Sequence, residues 1–131
     1  MIRFPLTIRQ AMTLDFVGTG ATAVLAIAAA GFTAGLTGLP EPLVRGAGLV
    51  LVPFLALVLA MAVRPKRGGV IAVIALNIAW VIASIVTLAL FVSPNALGYA
   101  FVIVQALAVG VFAELQILAL RGEAKAGGVF A

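Results

Sequence analysis

Apolar positions fill four long blocks of this chain, roughly 13–36, 43–63, 70–92 and 96–120. Each block is close to or above the ~20 residues that a helix needs to cross the hydrocarbon core of a bilayer. The separators "TGLPEP", "RPKRGG" and "SPN" place Pro40, Pro42, Pro65 and Pro94 where helices must start or stop, and Gly68 and Gly69 loosen the middle turn. Connections this short make successive helices antiparallel. The pattern predicts an all-α, polytopic membrane protein, one domain over residues 1–131, with four transmembrane helices in an up-down-up-down antiparallel bundle. Residues 1–12 read as an interfacial lead-in, with Thr7 and Gln10 at capping-box spacing. Residues 122–131, small and Gly-rich, read as a flexible cytoplasmic tail. The stretch "AIAAAGFTA" resembles a signal-peptide cleavage site. The block around it exceeds the apolar region of about 7–15 residues found in such peptides, so an uncleaved helix is expected.

Composition sharpens this picture. Of 131 residues, 65% are hydrophobic and 9% charged, and the mean hydropathy is +1.32. A soluble domain is closer to half apolar and a quarter charged. The chain has no Cys and no His. Disulfides, thiol chemistry, His-ligated haem and ordinary zinc sites are therefore excluded, and neither metal nor cofactor is expected.

Charge sets direction. Seven of the eight basic residues, Arg3, Arg9, Arg64, Lys66, Arg67, Arg121 and Lys125, fall on one side of the predicted bundle, and only Arg45 lies on the other, near Glu41. By the positive-inside rule both termini and the middle loop are cytoplasmic. The net charge of +4 then reads as a topology signal that touches anionic headgroups, and no nucleic-acid partner is expected. The expected partners are the lipid bilayer and either a second copy of the chain or another membrane protein.

Helices in lipid associate through close packing and buried polar contacts. Small residues at the matching spacing recur: Gly31 and Gly35 in the first block, Ala75, Ala79 and Ala83 in the third, Ala106 and Gly110 in the fourth. Pro53, inside the second block, should bend its helix and leave the carbonyl of Leu49 without its usual donor.

The polar intrusions are the candidate site. Asn77 lies about eight residues into its block and Gln105 about nine residues from the opposite end of the next, ~12 and ~14 Å deep by helical rise. Asn77, Trp80, Ser84 and Thr87 share one helix face; Gln105, Phe112 and Gln116 share another. Two readings stay open: a structural clasp between amides, and a ligand cleft lined by the two stripes. Two acids need the same treatment. Asp15 reads as a helix-start acid favoured by the dipole. Glu114, about two turns or ~10 Å before Arg121, reads either as a partner of a basic residue in the middle loop or as an intramembrane proton or cation site.

The phrases "LPEPLVRGAGLVLVPF", "IALNIAWVIAS" and "GYAFVIVQALAVGVFAELQ" resemble a group of small four-span bacterial membrane proteins described only as integral membrane proteins of unknown function. The resemblance covers residues 38 to 121 and implies a bacterial inner membrane. The size also invites comparison with the small multidrug resistance transporters, which carry an acid in their first helix. Asp15 is in the first helix but, two or three residues inside the first block, reads as lying near the membrane surface, and that family's aromatic-rich motifs around the acid and in the third helix are missing.

No catalytic set is visible among the polar residues. The leading expectation is a non-enzymatic accessory, assembly or oligomeric bundle. The alternatives are a small oligomeric proton-coupled carrier using Glu114 with Asn77 and Gln105, and a membrane protein that binds a lipid or quinone beside Trp80.

Overall fold

A computed structural model describes residues 6–126, with side chains described as far as Glu123. The described residues form five α-helices and no strand: α1 Ile8–Ala28, α2 Ala30–Thr37, α3 Glu41–Val63, α4 Arg67–Leu90 and α5 Ala96–Ala126. Four of them, α1, α3, α4 and α5, are long and apolar enough to cross a membrane. This is the architecture of a multi-pass membrane protein.

The helix starts are chemically defined. The capping box forms at α1, where the backbone N–H of Gln10 donates to Thr7 Oγ1 and that of Thr7 to Gln10 Oε1. It pulls the helix start back to Ile8, so residues 8–12 belong to the first span and not to a separate lead-in. The tail expected from 122 is helical as far as Ala126; beyond that it lies outside the described residues, as does Arg3. The first apolar block folds as two helices, of which α1 alone is long enough to span. Ala29, with φ −122° and ψ 33°, interrupts it between α1 and α2. No proline accounts for this break. Pro53 lies within α3, which continues as one helix to Val63.

Two close-packed pairs make up the bundle. α1 packs most extensively on α3 and α4 on α5; α1 also meets α5, whereas the consecutive helices α3 and α4 meet little. At the end carrying Arg9, Arg64, Lys66, Arg67 and Arg121, a core of Ile8, Met12, Val58, Met61, Val73 and Ala119 draws on all four long helices. At the opposite end Ala26, Ala30, Leu39 and Val44 pack with Phe101 and Val102. There the loops are latched: the backbone N–H of Asn95 donates to Thr37 O (3.1 Å), its Nδ2 to Leu36 O (2.9 Å), and its Oδ1 caps Gly98 N–H. Gly38, at φ +73°, ends α2 in the left-handed conformation that lets the chain turn back.

The side chains are sorted inside out relative to a soluble protein. Asp15, Thr19, Asn77 and Gln116 are buried, while Val24, Phe32, Val50, Ile85 and Leu107 are among many large apolar side chains left exposed. Water would penalise both choices, and hydrocarbon rewards both.

Candidate functional site

The site is built on one buried carboxyl. Asp15 sits on α1 seven residues after its first residue, ~10 Å along the helix, and is 0% exposed. Its depth removes the helix-start reading: the dipole effect is confined to the first turn. Instead Asp15 is held by three neutral donors. Thr19 Oγ1 donates to Oδ1 at 2.6 Å. Asn77 Nδ2 from α4 and Gln116 Nε2 from α5 both donate to Oδ2, at 2.8 and 2.7 Å. Asn77 Nδ2 also donates to Gln116 Oε1 at 3.0 Å, which closes a ring of three side chains from three helices. Asn77 and Gln116 are 2% and 1% exposed, so this clasp is dry apart from any groove that touches it.

A second, shallower network lies on the α4–α5 pair. Trp80 Nε1 donates to Gln105 Oε1 (2.9 Å), and Gln105 Nε2 donates to Ser84 Oγ (3.0 Å) and Val102 O (2.9 Å). Ser84 Oγ donates back to Trp80 O. Thr87 is satisfied by Ala83 O on its own helix. Asn77 and Gln105 thus do not bond to each other. Each has its own partners, Asn77 with the acid and Gln105 with the indole.

Between the α1–α3 and α4–α5 pairs, where α3 and α4 part, runs an apolar groove. Its upper part, about 430 Å³, reaches from Thr33 and Leu39 down to Trp80. Its lower part, about 420 Å³, ends at Thr19, Asn77 and Phe112. Thr22, Leu51, Trp80 and Gln105 line both parts, so the two are continuous. The clasp forms the groove's floor, with Asp15 directly behind it. Clasp and cleft are therefore neighbouring features rather than alternatives.

Glu114 is elsewhere. It is exposed on α5 and makes no hydrogen bond or ion pair with any described residue. The structure does not join it to Asn77 and Gln105, nor to the middle-loop bases. The acid that joins Asn77 is Asp15, which the residue pattern placed too near the surface. The small-residue pairs also fall differently. Ala106 is buried, and a Cβ on Gly110 would only touch Val81. Ala75 and Ala79 are exposed on α4, Ala83 is exposed to the upper groove, and a Cβ on Gly35 would meet nothing within 4 Å. Gly31 faces the Glu41 carboxyl, which pairs with Arg45 at 2.9 Å. The tightest helix contact involving a glycine of α3 is at Gly48, against Ala23, Ala26 and Ile27 of α1. No protein-family model, no curated protein and no solved structure matches this chain.

Proposed function

We propose that the chain is a non-enzymatic protein of a bacterial inner membrane, with both termini cytoplasmic and its helices running up-down-up-down, and that it binds a long-chain amphipathic molecule in the groove between its two helix pairs. The observation that carries this reading is the groove itself: it is long, apolar, and has the Trp80–Gln105–Ser84 network on its wall. Ligand pockets of this kind combine a mainly apolar lining with few placed polar groups. The gap between α3 and α4 gives a molecule dissolved in the bilayer a lateral way in. The polar groups around it are amides, hydroxyls and one carboxyl already held by three donors, which suits binding better than acid–base chemistry.

Trp80 is the one tryptophan of the chain, so its fluorescence reports on the groove. In nanodiscs, a C16 or longer amphiphile should change Trp80 emission saturably. Ala83→Phe, which fills the upper groove, should weaken that response by about tenfold while leaving thermal stability unchanged. A flat titration in the parent protein would remove the proposal.

Glu114 favours a second reading alongside the first, a homo-oligomer. A carboxylate on a lipid-facing helix is costly, and the exposed Arg64, Lys66 and Arg67 of a second copy offer it a partner. Blue-native electrophoresis and crosslinking should show an assembled parent and a smaller species for Glu114→Arg. An assembly unchanged by that reversal would take Glu114 out of the contact.

A further inference from the structure

The direction of one amide group specifies what the groove should recognise. Asn77 Nδ2 has two protons, and both are used, one on Asp15 Oδ2 and one on Gln116 Oε1. Oxygen and nitrogen of an amide are usually assigned from such networks, and here chemistry leaves one choice. Turning the amide over would aim Oδ1 at a carboxyl oxygen and an amide oxygen, neither of which donates there. Asn77 Oδ1 therefore points away from the clasp, and no described residue donates to it. Every fully enclosed polar side-chain atom among the described residues has a partner, so Oδ1 is not enclosed: it meets the open space that Asn77 lines. An acceptor with two free lone pairs thus stands at the floor of an apolar groove, on a residue that is 98% buried by its 2% exposure.

We infer that the groove selects a long-chain molecule whose head is a hydrogen-bond donor, a hydroxyl or an ammonium, and seats that head on Asn77 Oδ1. This rests on the groove being a ligand site, as proposed above, and adds the chemistry of the head. Asp15 and Gln116 are positioning residues: they touch no ligand, but hold the amide so that its oxygen faces the groove. Hydrogen bonds in a chain polarise one another, and the Asp15 carboxyl behind the NH2 group makes Oδ1 a stronger acceptor. A head that only accepts, such as an ether or ester, finds no donor at the floor, because the protons of Asn77 and Thr19 are engaged with the clasp.

Three probes of equal chain length test this in nanodiscs through Trp80 fluorescence: hexadecanol, hexadecyl methyl ether and hexadecylammonium. The expected result is that the alcohol and the ammonium bind about tenfold more tightly than the ether, the scale of one hydrogen bond in an apolar site. The order of the first two then says which head the site prefers. In Asn77→Leu the preference should collapse while ether binding persists. Equal affinity of all three probes in the parent would overturn the inference and leave the groove reading standing. No response to any probe would overturn the groove reading itself. The comparison in the parent needs no variant, so it stands even where Asn77→Leu fails to fold.

Discussion

Asp15 is stabilised by geometry rather than by charge: a hydroxyl and two amides donate to it, and among the described residues no cation pairs with it. Removing such a hub strands the donors, and each unmet buried group costs about 1–3 kcal/mol. Asp15→Leu should therefore destabilise the protein by about 3 kcal/mol, whereas Asp15→Asn, which keeps one acceptor oxygen, should cost about half of that. Unfolding in mixed micelles gives the order, and a leucine variant as stable as the parent would show that the clasp carries no stability. Asp15, Asn77 and Gln116 were legible in the sequence as polar residues within apolar blocks, but neither their pairing nor the part of Thr19, one turn after Asp15, was. Counted from the apolar block that starts near residue 13, Asp15 is shallow, whereas the helix starts at Ile8. Five residues of helix are ~7.5 Å, enough to move an acid from the headgroups to the clasp. For Glu114, distance along the helix does not say which side of it faces out, and the structure leaves it exposed.

Helix faces pose the same difficulty at the level of elements. In a chain apolar on every side, periodicity no longer marks the packed face, and small-residue pairs become the only guide. Gly31 and Gly35 have that spacing, yet they lie on the separate helix α2 beyond the break at Ala29, and a Cβ on Gly35 would meet only open space. Gly48 has no such pattern, yet a Cβ there would lie 2.9 Å from Ala26 Cβ and 3.3 Å from Ala23 O. Gly48→Ala must push α1 off α3 and should cost about 1–3 kcal/mol, as overpacking does. Gly35→Ala should be neutral or stabilising by up to about 1 kcal/mol, since it meets nothing and restricts the unfolded chain. Melting both variants in the same detergent decides between them; equal losses would mean that close approach at Gly48 is not what limits the α1–α3 packing. The four spans themselves were legible because hydrophobic length and proline-rich separators are local properties. The groove was not, because it arises where the consecutive helices α3 and α4 fail to pack, and sequence order favours the opposite expectation.

Orientation is the property of the whole molecule on which the rest depends. Arg9, Arg64, Lys66, Arg67 and Arg121 gather at one end, and the Asn95 latch lies at the other. Basic loops are retained in the cytoplasm, so the groove's upper end, near Thr33 and Leu39, should belong to the outer leaflet and its floor at Asn77 to the inner half of the membrane. A ligand would then enter from the outer side of the bilayer and travel inward to reach its acceptor. Because the chain has no cysteine, single introduced thiols read this without background. A membrane-impermeant maleimide added to spheroplasts should modify Ser93→Cys in the loop after α4, and reach Lys66→Cys only after lysis. Both positions are exposed, so failure to label reports sidedness and not burial. The reverse pattern would turn the bundle over: the groove would then fill from the inner leaflet, and the basic cluster would have to be held outside by something other than its charge.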